Sequence, residues 1–248
     1  MNPVIFITGA SKRIGAATAR LFHSRGFRVI IHYNRSEAEA TNLIRDLNNN
    51  RADSAIALQA DLNDREATAN MAAQVPEAFG QLDVLVNNAS SFYPTSLGEI
   101  SQQQWDDLVD SNLRGAFFIS QQLAPELTAR RGAIVNIVDT HADRPLAGFP
   151  TYSIAKAGLK AMTKSLAIEL APFVRVNGVS PGAILWPPSL EDDSDPAVVE
   201  KRKDVLQRIP LNRLGRQEDI AEAVFYFATG GSYITGMTLK VDGGRSLV

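Results

Sequence analysis

The sequence predicts an α/β fold: a doubly wound parallel sheet of about seven strands, flanked by helices. Short β-branched runs alternate with longer helical patterns from one end of the 248-residue chain to the other. Most of these runs are continuously apolar, which is typical of strands that are covered on both faces. Repeated β-α-β units favour right-handed crossovers and therefore parallel pairing.

The elements follow in order from the runs and the stretches between them. The predicted strands are Val4–Thr8, Arg28–Tyr33, Ala55–Ala60, Asp83–Asn87, Ala133–Val138, Val174–Ser180 and Thr238–Val241. The predicted helices are Ile14–Arg25, Ser36–Leu47, Asp64–Phe79, Ser101–Ala124, Tyr152–Leu170 and Glu218–Ala228. Because no linker, repeat or charge block interrupts them, we expect a single domain over residues 1–248.

Composition excludes several classes of function. A formal charge of -2 provides no general basic field for nucleic acid, and the absence of Cys excludes disulfides, thiolate metal sites and a cysteine nucleophile. The three His are widely separated, so we expect no metal site. No apolar run approaches the roughly 18 residues of a membrane span. We therefore expect a cytoplasmic protein that has no membrane or nucleic-acid partner.

One irregular stretch, Trp186–Ala197, holds three Pro and four acidic residues. It follows a predicted strand, so we interpret it as part of a substrate lid at residues 183–210 over the carboxyl edge of the sheet. The alternative is a solvated surface loop. Trp186 itself could line the substrate site or only anchor the loop.

The first strand runs into Thr8-Gly9-Ala10-Ser11-Lys12-Arg13-Ile14-Gly15, directly before a helical pattern. Gly9 permits a tight turn, and Gly15 allows the helix to pack close to the strand. The N-terminus of the helix can then offer N–H groups to a pyrophosphate. This strand–turn–helix context predicts a Rossmann-like dinucleotide site.

The end of the second strand indicates which dinucleotide is bound. An NAD enzyme carries Asp or Glu about 20 residues after the turn, but this chain has His32-Tyr33-Asn34-Arg35-Ser36 there. Arg35 can pair with a 2′-phosphate, Ser36 can donate to it, and Arg13 can add a second guanidinium. The alternative for each Arg alone is a solvated surface residue. Together they predict NADP(H).

Tyr152 and Lys156 are four residues apart and therefore share one face of a helix. A phenol has an ordinary pKa near 10, and a neighbouring ammonium stabilises its phenolate. We therefore expect Lys156 to lower the pKa of Tyr152 for proton transfer. The alternative is an ordinary amphipathic pair.

Over essentially its whole length the sequence resembles the short-chain dehydrogenase/reductase family. The motifs that carry the resemblance are Thr8–Gly15, Asp61-Leu62, Asn87-Asn88-Ala89, Asn112, Tyr152 with Lys156, Ser180-Pro181-Gly182 and Val241-Asp242-Gly243-Gly244.

The resemblance implies a role for each of these positions. Asp61 and Leu62 would hold the adenine, and Asn112 would belong to a proton relay. Lys156 would also grip the nicotinamide ribose. Further cofactor contacts would come from Gly9, Arg13, Ile14, Gly15, Asn34, Arg35, Ser36, Asn88, Ala89, Ser90, Pro181 and Gly182. The family also implies a homotetramer.

Two departures from the common family pattern indicate which kind of substrate bond is reduced. Arg13 replaces the third glycine of the turn, and Asp139 stands thirteen residues before Tyr152, where most members carry Ser. An ionised Asp would repel a developing alkoxide, whereas it suits a ring nitrogen that gains a proton. The alternative is an inactive member of the family.

These features resemble the pteridine reductase branch, which includes pteridine and dihydromonapterin reductases. Asp139, Tyr152 and Lys156 would form its catalytic triad, with Asp139 and Tyr152 also contacting substrate. By resemblance, Phe92 would stack over a pterin and Ser90 would bind its polar edge. The alternative for Phe92 is a core aromatic, and His141 could contact the pocket or be structural.

The implied function is NADPH-dependent reduction of a dihydropterin to a tetrahydropterin. Oxidised biopterin and dihydrofolate are further candidate substrates, and the latter would connect the protein to folate metabolism. Two alternatives stay open. One is a related reductase for another C=N or C=O substrate, and the other is a non-catalytic NADP(H)-binding sensor.

Overall fold

The computed structural model describes residues 2–186, 190, 192 and 194–248. Within them, seven strands pair in parallel in the order β3-β2-β1-β4-β5-β6-β7. The strands are β1 Val4–Ile7, β2 Arg28–Tyr33, β3 Ala55–Gln59, β4 Val84–Asn87, β5 Ala133–Ile137, β6 Arg175–Pro181 and β7 Thr238–Val241. The helices are α1 Arg13–Ser24, α2 Glu37–Asn50, α3 Arg65–Phe79, α4 Gln102–Val109, α5 Gly115–Arg130, α6 Pro150–Glu169, α7 Pro196–Gln207 and α8 Gln217–Thr229.

Helices cover both faces of the sheet, so the predicted doubly wound α/β fold is confirmed. Ile5 and Ile7 of β1 lie in a core shared with α1, α2 and α8. Val4 and Phe6 face the opposite way, into a core shared with α3, α5 and α6. This alternation explains the continuously apolar strands, because each face needs its own buried side chains.

The strand order reverses between β1 and β4, the two central neighbours in the sheet. In a doubly wound sheet, crossovers leave in opposite directions at such a point, and their loops part to form a crevice at the carboxyl ends of the strands. The turn after β1 and the loop after β4 border this crevice. The fold therefore brings the predicted cofactor motifs together.

The predicted helix Ser101–Ala124 is wrong in its continuity and its end. It consists of α4, a π-helical turn at Asp110–Arg114, and α5, which runs beyond Pro125 to Arg130. Proline removes one helical hydrogen bond. The burial of Leu123 and Leu127 against the sheet keeps the helix intact across it.

Helix α7 lies inside the predicted lid at 183–210, where the sequence predicted no helix. It has no buried residue, so it lacks the apolar stripe that predicts a helix. Its start does carry a local signal, because Asp195 caps the N–H of Ala197 and Pro196 occupies the first turn. Residues 187–189, 191 and 193 of the predicted lid lie outside the described residues.

In the described part of the chain, no helix is both long and apolar enough to cross a membrane.

Candidate active site

A groove of about 980 Å³ runs along the carboxyl edge of the sheet at the β1–β4 crevice. Although Asn112 does not line it, the groove brings together most of the residues that the sequence predicted for the site. These are Gly9, Arg13, Ile14, Gly15, Asn34, Arg35, Ser36, Asp61, Leu62, Asn88, Ala89, Ser90, Phe92, Asp139, Tyr152, Lys156, Pro181 and Gly182.

The turn after β1 leaves no room for side chains at its two glycines. A Cβ on Gly9, whose φ is +60°, would lie 2.7 Å from the Cα of Ala89. A Cβ on Gly15 would lie 2.6 Å from the Cα of Ala10. No side chain caps the N-terminus of α1, so its first N–H groups are available to an anionic ligand. The turn therefore fits a dinucleotide pyrophosphate.

The loop after β4 holds this turn in place. Asn88 Nδ2 donates to the carbonyl oxygens of Thr8 at 2.9 Å and Gly9 at 2.8 Å. Thr8 Oγ1 in return accepts the backbone N–H groups of Asn88 and Ala89, each at 3.0 Å. Asn88 lines the groove as expected, but its amide is engaged in positioning the turn.

The end of the groove beside β2 is cationic. Arg13 and Arg35 are exposed, and neither guanidinium forms an ion pair with any described residue. Arg13 adopts φ +52°, a conformation that favours glycine, which explains why a glycine is usual at this position. Lys12, by contrast, pairs with Glu39 at 2.6 Å. Two guanidinium groups are thus available where a 2′-phosphate would lie.

A tyrosine, an aspartate and a lysine meet at the middle of the groove. Tyr152 Oη donates to Asp139 Oδ2 at 2.7 Å, and Asp139 Oδ1 accepts the backbone N–H of His141 at 2.8 Å. Asp139 caps the 3₁₀ turn Thr140–Ala142, which fixes its carboxylate. Lys156 Nζ donates to the carbonyl of Ile137 at 3.0 Å and lies 5.7 Å from the centre of the Tyr152 ring.

The electrostatics of this triad differ from the expectation for Tyr152. Burial, followed by the charge and the hydrogen bond of Asp139, raises the pKa of Tyr152 well above its ordinary value, although Ser90 opposes this. Burial lowers the pKa of Lys156 to about 8, and Asp139 opposes that shift. In the protein alone the pKa of Tyr152 thus shifts opposite to the lowering that the sequence predicted, because the phenol is buried and hydrogen-bonded to Asp139. Tyr152 keeps its proton at neutral pH.

Asn112 has a different set of partners from the implied relay. It is buried in the π-helical turn, where its Nδ2 donates to the carbonyl oxygens of Ser91 and Leu108, each at 2.9 Å. Its Oδ1 accepts from Ser90 Oγ at 2.7 Å. These bonds anchor the loop after β4, so Asn112 positions Ser90 and its neighbours.

Phe92 presents an aromatic surface to the groove. Its side chain is 53% exposed, so the interpretation as a core aromatic is wrong. It stacks on Phe149 with ring centres 4.6 Å apart and meets the Tyr152 ring edge-on at 4.8 Å. Phe149 was not predicted because it carries no motif, and its one signal is its position just before α6.

The groove is also lined by residues whose role the sequence left undecided and by residues that it did not predict. His141 and Trp186 both line the groove, and the Arg202 guanidinium lies 5.1 Å over the Trp186 ring. His32 and Arg245 also line it and were not predicted. Arg245 comes from the 3₁₀ turn after β7, a distant part of the chain whose spacing gives no signal.

The sequence of the chain is similar to those of known proteins. A family model described as "Enoyl-(Acyl carrier protein) reductase" matches residues 9–246. Pteridine reductase 1 of Leishmania tarentolae is 38% identical, with 99% of this chain and 96% of the relative covered. The 3-oxoacyl-[acyl-carrier-protein] reductase FabG of Staphylococcus aureus is 36% identical, with 98% of each chain covered. The chain therefore belongs to the short-chain dehydrogenase/reductase family of oxidoreductases, whose members typically use nicotinamide cofactors.

Proposed function

We propose that the protein is an NADPH-dependent pteridine reductase that adds hydride to a ring C=N bond of a pterin. The observation that carries the proposal is the 2.7 Å hydrogen bond from Tyr152 Oη to Asp139 Oδ2. A carboxylate at this position opposes the negative charge of a developing alkoxide. It does not oppose a ring nitrogen that becomes neutral N–H as it gains a proton.

In the proposed reaction the bound cofactor supplies the hydride. Tyr152 gives the proton: its O–H bond breaks as the N–H bond of the substrate forms. The phenol enters the reaction protonated, because even its ordinary pKa near 10 lies well above neutral pH. Asp139 orients the phenol, and Lys156 binds the ribose with the donors that Ile137 leaves available.

The aromatic surface supports a planar substrate. Phe149 holds Phe92 from behind, and the exposed face of Phe92 offers a stacking surface for a flat heterocycle, worth about 1 kcal/mol beyond the buried area. The pterin would lie between Phe92 and the nicotinamide. Ser90, which Asn112 positions, would bind the polar edge of the pterin.

The cationic end supports NADPH over NADH. Arg13, Arg35, Ser36 and Asn34 would surround the 2′-phosphate, because a guanidinium pairs well with phosphate oxygens. Asp61 and Leu62 would hold the adenine, while the remaining predicted cofactor residues would line the pyrophosphate and nicotinamide. We further propose a cytoplasmic homotetramer of one domain, residues 1–248, with a substrate lid at 183–210.

A second candidate is the reduction of a C=O bond, for example in a 3-oxoacyl thioester. It is favoured by the FabG relative, whose identity of 36% is close to the 38% of the pteridine reductase. Asp139 would then have a role other than helping to deliver a proton to a ring nitrogen. A non-catalytic NADP(H)-binding sensor is the third candidate, and the intact Tyr152–Lys156 pair counts against it.

One assay separates the three candidates. Loss of NADPH absorbance is followed with dihydrobiopterin, dihydromonapterin, dihydrofolate and acetoacetyl thioester. We expect turnover of at least one pterin and none of the thioester. Turnover of the thioester alone would establish the second candidate, and NADPH binding without any turnover would establish the sensor.

A further inference from the structure

We propose that His32 is a positioning residue. Its imidazole, as the neutral Nε2–H tautomer, holds the phosphate-binding turn after β1 against the turn after β3, which contains Ala60 and Asp61. The inference rests on the proposed function to the extent that the groove binds a dinucleotide. It assigns a role to a buried side chain that is absent from the proposed catalytic and ligand-binding sets.

The hydrogen bonds of the imidazole determine its tautomer. His32 lies in β2 with only 2% of its surface exposed. The backbone nitrogen of Gly9 lies 3.0 Å from its Nδ1, and the carbonyl oxygen of Ala60 lies 3.1 Å from its Nε2. The Gly9 N–H can only donate, so Nδ1 must be bare. The Ala60 carbonyl can only accept, so Nε2 must carry the hydrogen.

The two partners belong to the two turns that face the cofactor. Gly9 opens the phosphate-binding turn after β1, and Ala60 directly precedes Asp61 after β3. In the sheet β2 lies between these strands. Backbone bonds join the same segments, from Ala10 N to the His32 oxygen at 2.9 Å and from Ala60 N to the Tyr33 oxygen at 3.1 Å. The imidazole therefore bridges both turns through hydrogen bonds.

The Gly9 bond requires neutral His32. A protonated imidazole would turn a second N–H towards the Gly9 N–H and leave both donors without an acceptor. Burial lowers the pKa of His32, although the Ala60 hydrogen bond and the charge of Asp61 oppose this. The neutral form is thus favoured at pH 7. Loss of the imidazole would leave the Gly9 N–H unpaired in the turn that must receive the pyrophosphate.

The first test reads the tautomer directly in the full-length protein without cofactor. Nitrogen NMR on protein with isotope-labelled histidine gives signals from three His, and those of His32 are identified by their loss in His32→Asn. We expect bare Nδ1 and protonated Nε2 at pH 7. The opposite tautomer, or an imidazolium, would overturn the inference.

The second test separates the two bonds. His32→Asn retains an acceptor near the Nδ1 position, His32→Gln places an amide donor near the Nε2 position, and His32→Leu has neither. We expect the NADPH dissociation constant, from cofactor fluorescence, to rise about tenfold in His32→Leu and about threefold in each polar variant. NADH should weaken by the same factors, because the 2′-phosphate is not involved.

His23 provides a matched control. It is also buried, and its Nε2 lies 2.7 Å from Ser54 Oγ, but it does not line the groove. His23→Leu should lower thermal stability and leave the NADPH dissociation constant unchanged. Equal weakening in both Leu variants would reduce the effect of His32 to general destabilisation and overturn the inference.

The outcomes distinguish this inference from the proposed function. Wild-type NADPH affinity in a folded His32→Leu variant contradicts the inference and leaves the proposed function standing. If that variant does not fold, the Asn and Gln variants and the tautomer decide. Failure of the wild-type protein to bind NADPH contradicts the proposed function instead, while the NMR result still tests the geometry of His32.

Discussion

At Tyr152, burial and the neighbouring carboxylate of Asp139 together raise the pKa of the phenol. The carboxylate of Asp139 accepts its hydrogen at 2.7 Å, whereas Lys156 Nζ lies 5.7 Å from the ring centre. Because burial and this carboxylate both raise the pKa, the phenol holds its proton. The geometry thus makes Tyr152 a proton donor in the protein alone, which suits reduction better than oxidation.

Replacing Tyr152 by Phe removes this donor and keeps the ring that contacts Phe92. We expect kcat for the pterin to fall by roughly 10²- to 10⁴-fold, the usual contribution of general acid catalysis, with the NADPH dissociation constant unchanged. Steady-state kinetics and cofactor fluorescence measure the two quantities. Residual activity within tenfold of wild type would mean that the proton comes from another group.

Replacing Arg35 by Ala removes a guanidinium beside β2 that pairs with no acid in the part of the chain that the structure describes. We expect NADPH affinity to fall about tenfold, the cost of one charge-assisted hydrogen bond, with NADH affinity unchanged. Arg45→Ala is the control, because Arg45 is exposed on α2 and bonds only to Asn42 among the described residues. Equal losses for both cofactors in Arg35→Ala would contradict the 2′-phosphate assignment.

Among the elements, the contact between α1 and the turn after β1 leaves no room for an added side chain at Gly15. In Gly15→Ala the new Cβ would meet the Cα of Ala10 at 2.6 Å and the carbonyl of Gly9 at 2.7 Å. Backbone atoms cannot move aside as a flexible side chain can, so the turn must shift. We expect loss of NADPH binding by more than tenfold in a folded protein, measured by fluorescence and circular dichroism. Wild-type affinity would show that the turn does not receive the cofactor.

The sequence predicted elements well where a buried face imposes periodicity. The observed strands lie within a residue or so of the predicted ones. The apolar runs of β1, β2, β4, β5 and β6 are almost entirely buried, whereas the edge strands β3 and β7 are partly exposed. Helix α7 escaped prediction because it buries no residue, although Asp195-Pro196 marks its start. The break at Asp110–Arg114 escaped prediction because this stretch contains no Pro or Gly that would mark it.

Site residues were predictable where a motif specifies their chemistry. Tyr152, Lys156 and the glycines of the turn carry such motifs. His32 and Phe149 do not, because their partners Gly9, Ala60 and Phe92 are brought to them only by tertiary structure. The raised pKa of Tyr152 could not be predicted from the sequence either, since it depends on the burial of the phenol and on its hydrogen bond to Asp139.

For the whole molecule, the burial of Lys156 lowers the free energy of unfolding by an amount that depends on pH. Its folded pKa of about 8 lies below the ordinary 10.5, so the unfolded chain binds more protons between these values and stability rises with pH there. We expect Lys156→Met to raise the free energy of unfolding by up to about 3 kcal/mol at pH 7, with the gain shrinking from pH 8 to 10.5. Urea unfolding across this range measures it.

Lys164 serves as the control for this prediction, because it is an exposed lysine on the same helix. Lys164→Met should leave stability and its pH dependence unchanged. A gain in Lys156→Met that stays constant between pH 7 and 10 would contradict the lowered pKa of Lys156.

The same buried lysine couples ligand binding in the groove to the uptake of hydrogen ions. At pH 8 about half of the Lys156 side chains lack their third hydrogen. A ligand that brings negative charge close to the amine draws a hydrogen ion from the surrounding buffer as it binds. The heat of association should then vary with the ionisation enthalpy of the buffer, a calorimetric signature of this amine that an exposed lysine would not give.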